Sequence, residues 1–170
     1  MSTLQTNTTV TEKEVFIKMV LSYWQVVNAR MNSVLEKLTD EDLAAETAPG
    51  RNTGVYLLGH LAAVHDAMFT ILGLGERLYP ELDEVFLNSP DKSAHVKPST
   101  AELRRCWSKV SSTLQQKLDE VHPDEWFSRH TAVSEEDFAK EPHRNKLNIV
   151  INRTNHLSYH FGQLIYLVKQ

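Results

Sequence analysis

Two histidines four residues apart, His156 and His160, stand in the stretch Asn155-His156-Leu157-Ser158-Tyr159-His160-Phe161-Gly162-Gln163. In a helix they lie about one turn and roughly 40° apart on one face, where two neutral imidazoles can share one metal ion. A helix is expected there, because Leu147, Val150, Ile151, Leu157, Phe161, Leu164, Ile165 and Leu167 recur at three- and four-residue steps. The spacing alone carries little. Eight histidines in 170 residues produce such a pair by chance roughly 0.3 times per chain, and a histidine on a helix face is more often a hydrogen-bonded boundary residue than a ligand. Metal binding needs a third donor from another element. With Cys106 the single cysteine, neither an intrachain disulfide nor a cysteine cluster is available, so any metal is held by histidine and carboxylate.

The second histidine-bearing stretch is Gly59-His60-Leu61-Ala62-Ala63-Val64-His65-Asp66. His60 and His65 are five apart and so about 140° around a helix from each other, which leaves at most one of them for a given site. His60 is the better placed, since it follows Leu57 and Leu58, shares the stripe of Leu61 and Val64, and is preceded by a glycine, Gly59, that admits a close neighbour. For His65 a surface position or a supporting hydrogen bond is expected. Asn152, four residues before His156, and Gln163, three after His160, can face the same site.

These side chains are positioned by four long helices. Thr11-Glu12-Lys13-Glu14 reads as a capping box that opens a helix over 12–38, with Val15, Phe16, Met19, Val20, Tyr23, Val27, Met31, Val34, Leu35 and Leu38 at helical spacing. Residues 1–10 read as a flexible tail. Thr39 caps at most a short turn, Pro49-Gly50 breaks it, and Asn52 or Thr53 opens a second helix over 54–72 that stops at Gly73-Leu74-Gly75. The next stretch, 74–98, is a long connection with a helical piece near 80–87. A second capping box at Ser99-Thr100-Ala101-Glu102 opens a third helix over 100–121, and a charged link leads to the last helix near Asn145. The expected fold is a single all-α domain over 1–170, a four-helix bundle with long connections after helices two and three, in which metal sites are built from facing helices.

With both histidine elements in view, the chain resembles the DinB/YfiT-like family of metal-binding helical bundles. The resemblance is carried by Gly59-His60-Leu61 and by His156-Leu157-Ser158-Tyr159-His160-Phe161-Gly162-Gln163, and the helix plan follows it over roughly 12–168. Many members carry a tryptophan shortly before the first histidine, where this chain has Val55-Tyr56-Leu57-Leu58. The resemblance implies that His60, His156 and His160 bind a divalent metal, commonly zinc, nickel or iron, and that two bundles pair as a homodimer. It further implies a transferase that acts on a small-molecule substrate with a low-molecular-weight thiol. A metal-dependent hydrolase and a non-catalytic, stress-associated metal-binding bundle are the alternatives.

Elementary chemistry narrows the choice. Three imidazoles leave a tetrahedral cation one open position, whereas structural zinc sites are usually closed by four protein ligands. An open position can lower the pKa of water, polarise a carbonyl or take a thiol as thiolate. His156-Leu157-Ser158-Tyr159-His160 lacks the glutamate of the H-E-x-x-H metalloproteases. A net charge of -4 without a basic stripe argues against nucleic acid. No apolar run reaches bilayer-spanning length, and the cysteine usage suits a reducing, cytoplasmic setting. Cys106 is expected to be a small buried hydrophobe, and Trp24, Trp107 and Trp126 to anchor the core or a dimer interface.

Overall fold

The helix boundaries are set by side chains that satisfy the first free backbone N–H groups. Thr11 Oγ1 accepts from the Glu14 amide while a Glu14 carboxylate oxygen accepts from the Thr11 amide at 2.7 Å, and this box opens α1, Glu12–Lys37. Thr39 and Asp42 repeat it at the short α2, Asp40–Ala44, and Ser99 and Glu102 at α5, Thr100–Asp119. Thr53 caps α3, Gly54–Ile71, and Asn145 caps α7, Lys146–Leu164. Two further short helices, α4, Leu82–Phe86, and α6, Glu135–Lys140, lie in the long connections. The end of α3 requires glycine. Gly73 takes φ +70°, and Leu74 N–H then reaches back to the Phe69 carbonyl at 2.7 Å. This computed structural model describes residues 10–169, so the tail expected over 1–10 lies, apart from Val10, outside the described residues.

α1 packs along α7 and α3 along α5, and α3 meets α7 over a shorter stretch. Among the described residues there are no strands beyond two isolated β-bridges, Glu46–Thr53 and Arg129–Asn145. Two apolar clusters fill the interior. One gathers Leu35, Leu43, Leu57, Leu61, Phe86 and Leu157 near α2 and α4. The other gathers Trp24, Phe69, Val110, Leu114, Trp126 and Val150 at the opposite end. All three tryptophans are therefore core residues. Cys106 is only half-buried against the first cluster, and burial raises its thiol pKa, so it is no thiolate at neutral pH. α3 is long and apolar enough to cross a membrane by composition, but 72% of it is buried in the bundle, which accounts for its apolar character.

One stripe divides differently from its spacing. Ile17, Trp24, Val27, Met31, Val34 and Leu35 of α1 point inward, whereas Val15, Phe16, Met19 and Tyr23 are exposed. The amino-terminal half of α1 carries two adjacent apolar stripes, and only one of them can face the core.

The connection over 72–99 is pinned by two buried carboxylates. Asp66, fully enclosed, accepts from the amides of Leu78 and Tyr79 at 2.7 and 3.1 Å and pairs with Arg77 at 3.0 Å. Asp91 accepts from the Thr53 amide at 2.6 Å and pairs with Lys97. Between these anchors α4 is held against α3, where the Phe86 ring lies over Gly59. A Cβ on Gly59 would stand 2.4 Å from that ring. The glycine beside His60 is thus required by packing.

Candidate metal centre

α3 contributes His60, and α7 contributes His156 and His160 one turn apart, so the imidazoles lie where these two helices meet. His156 Nε2 lies 3.2 Å from His60 Nε2 and 3.1 Å from His160 Nε2. The three donors form one group within 4.8 Å, which no cysteine or carboxylate among the described residues joins. Ligands about 2.0 to 2.1 Å from a tetrahedral cation are separated by about 3.3 Å, so the triangle is close to the size that a metal demands.

Hydrogen bonding assigns the tautomers. The Nδ1–H of His60 donates to the Phe86 carbonyl at 2.9 Å, and the Nδ1–H of His160 donates to Gln163 Oε1 at 2.7 Å. Each of these rings then presents a bare lone pair at Nε2, and both face His156 Nε2. One proton on His156 cannot serve two such acceptors well, whereas a cation satisfies all three. Partners of this kind fix ring orientation and ligand basicity in metal sites. The third ring differs: His156 Nδ1 is buried and has no partner among the described residues.

The three rings are neutral at pH 7, as ligands must be. Burial lowers the pKa of His60, with help from the positive charge of Arg153, against the bond to Phe86. Burial and then His60 lower that of His160. For His156, burial, followed by the charges of His160, His60 and Arg153, brings the value down to about 4.

Around the triangle, Tyr56 stacks on His60 with centroids 6.2 Å apart and planes at 11°. Tyr159 sets an edge against His160, and its hydroxyl lies 3.4 Å from Gln163 Nε2. Gln163 also lines a hollow of about 300 Å³ together with Thr47, Ala48, Arg51, Tyr159 and Tyr166. This hollow borders the His160 side of the group.

Of the residues expected at the site, His60, His156, His160 and Gln163 come together and Asn152 does not. Asn152 is exposed and forms no hydrogen bond to the group among the described residues. It sits at the edge of the face, where α7 turns to solvent. Of the two alternatives expected for His65, the surface position is excluded. His65 is fully buried, stacked on Trp24 and edge-on to Trp107, with Nδ1–H donating to the Leu61 carbonyl at 2.9 Å. Its pKa is pushed down to about 3, chiefly by burial. His95, His122 and His143 are exposed, and His130 is buried in a turn where it accepts from the Ala132 amide. Two groups at the site are absent from the sequence reading, and only one of them had a signal in the sequence. The Phe86 carbonyl belongs to a backbone that no residue type announces. Arg153, three residues before His156, follows from the same helix-neighbour rule that favoured Asn152.

Four long helices and a three-histidine group positioned to hold a metal ion define the class, an all-α bundle with a metal-binding geometry. The sequence profile of the DinB family matches residues 5–170, and the chain belongs to that family. No curated protein matches. Among solved structures, the fold is similar to that of a conserved protein from Enterococcus faecalis. The TM-score is 0.60 at 17% identity, over 89% of this chain and 95% of that one. At that identity the likeness speaks for the fold alone. Family membership and the histidine group are both compatible with metal binding.

Proposed function

We propose that the protein binds a divalent metal, zinc, nickel or iron, through His60, His156 and His160, and that it is a transferase acting with a low-molecular-weight thiol. The observation that carries this reading is the convergence of three Nε2 donors with no fourth protein ligand among the described residues, which leaves a position for an exogenous donor. A divalent cation held there supplies Lewis acidity, which lowers the pKa of a thiol at the open position.

The chain's own residues do the rest. Phe86 O and Gln163 Oε1 hold two imidazoles in the tautomer that aims Nε2 inward. The amide of Gln163 and the hydroxyl of Tyr159 give the adjacent hollow polar groups that can orient an electrophile. In the transfer the thiol gives its proton to solvent, and sulfur forms a bond to an electrophilic carbon. The leaving group departs with the electron pair of the bond that breaks. Pairing of two copies through the exposed face of α1 is part of the same proposal.

The test is spectroscopic. Cobalt-substituted protein titrated with 2-mercaptoethanol is expected to develop a sulfur-to-metal absorption band, and His156→Ala is expected to lose the band, most of the metal and any thiol transfer while keeping its helical circular dichroism. If no thiol perturbs the cobalt spectrum, the transferase reading fails and a structural metal is favoured.

A further inference from the structure

Arg153 is a charged side chain without a counter-charge. It lies one turn before His156 on α7, so the two side chains are neighbours on one face. Among the described residues it has no carboxylate within ion-pair distance and no hydrogen-bond partner, and its Nε is enclosed without an acceptor. The residue is half-buried, and the cause that lowers its pKa is desolvation, with no acidic group acting on it. None of the three ligand histidines is influenced by an aspartate or glutamate either. A half-buried guanidinium with nothing to neutralise it is costly, and such charges persist where a partner is supplied.

The local charge makes the imbalance larger. Three neutral imidazoles leave a divalent cation uncompensated, and Arg153 adds a third positive charge close enough to depress both His60 and His156. A second donor nearby is also idle. With Nε2 of His156 turned to the metal position, the proton of that ring sits on Nδ1, which is buried and unpartnered. Two unsatisfied donors thus lie three residues apart on the helix that carries His156 and His160.

We infer that the molecule taking the open metal position carries a second anionic group, a carboxylate or similar oxyanion, and that Arg153 is the residue that binds it. The inference rests on the thiol reading above and narrows it to an anionic thiol. A thiolate at the metal and a carboxylate at Arg153 would offset two of the three positive charges. The guanidinium fork suits the carboxylate better than an ammonium does, since it can present two parallel N–H donors.

The test compares two thiols on cobalt-substituted protein, mercaptosuccinate, which bears carboxylates, and uncharged 2-mercaptoethanol. Wild type is expected to bind mercaptosuccinate more tightly. Arg153→Gln is expected to weaken mercaptosuccinate on the order of tenfold or more while leaving 2-mercaptoethanol within about twofold. Arg153→Lys should recover part of the loss, and rising salt should weaken mercaptosuccinate more than 2-mercaptoethanol. Cobalt content and thermal midpoint serve as controls that the site and fold persist. If Arg153→Gln weakens both thiols equally, or neither, the guanidinium does not select charge and this inference is overturned while the thiol reading stands. If neither thiol perturbs the wild-type spectrum, the thiol reading itself has failed, and this inference with it.

Discussion

His65 shows how strongly a single residue's environment can decide its chemistry. It is five positions from a metal-site histidine, yet it is sealed between Trp24 and Trp107 and its Nε2 has no partner among the described residues. Its folded-state pKa of about 3 lies below the ordinary value of 6.5. The unfolded chain therefore takes up a proton near pH 6.5 that the folded chain refuses until about pH 3. Stability from this residue is fully present above pH 6.5 and is lost as pH falls through that window, by about 1.4 kcal/mol per pH unit at most. His65→Leu removes the titrating group and keeps the volume. Its urea unfolding free energy, measured against wild type at pH 7.5 and pH 5, should therefore improve by about 2 kcal/mol in relative terms at the lower pH. A difference between the two proteins that does not change with pH would show that the ring is not buried neutral.

At the scale of elements, the site depends on α4, a five-residue helix that holds no ligand. Phe86 packs its ring on Gly59 and offers its carbonyl to His60, so the spacing between α3 and α4 and the aim of one ligand are set by the same residue. Gly59→Ala must displace a fully buried ring, and the expected cost is about 1 to 3 kcal/mol of stability. Metal affinity, read by competition with a chelator, should also fall by about tenfold, because the acceptor for His60 moves with the ring. Adding Phe86→Leu to Gly59→Ala should restore part of the stability through the coupling of two residues in contact. A destabilised variant with unchanged affinity would separate the two roles. Much of this scale was legible in the sequence. The caps Thr11, Thr53, Ser99 and Asn145 are local signals, and they mark the starts of the four long helices. The three-histidine group was legible because a helix turns spacing into direction, and because the Gly-His and H-x-x-x-H-x-G-Q elements resemble known ones. What escaped depends on tertiary contact. Spacing could not say which of two apolar stripes on α1 faces inward, nor that Asn152 lies at the solvent edge, nor that a backbone carbonyl from α4 orients His60. Gly162 escapes from the other side, since a Cβ there would meet nothing within 4 Å and nothing packed against it explains a glycine inside α7.

For the molecule as a whole, the surface of α1 carries the proposal of pairing. Phe16, Met19 and Tyr23 are 45%, 64% and 52% exposed, and with Val20 and Ile151 they line a hollow of about 210 Å³ between α1 and α7. Single exposed apolar residues are ordinary on protein surfaces, but a contiguous row along one helix marks a contact surface more often than chance. A two-fold axis across such a row brings each residue against its own copy or a near neighbour, so one patch serves both partners. Charge placed there should therefore act twice. Met19→Glu combined with Tyr23→Glu sets four carboxylates against each other in a dimer and costs a monomer little, because both side chains already face solvent. Sedimentation equilibrium is expected to give a mass near twice 19.4 kDa for the wild type and the single-chain mass for the double variant, with metal content the same in both. A wild-type protein that sediments as one chain at tens of micromolar would remove the pairing from the proposal. The three-histidine group, built within one chain between α3 and α7, would be unaffected by that result.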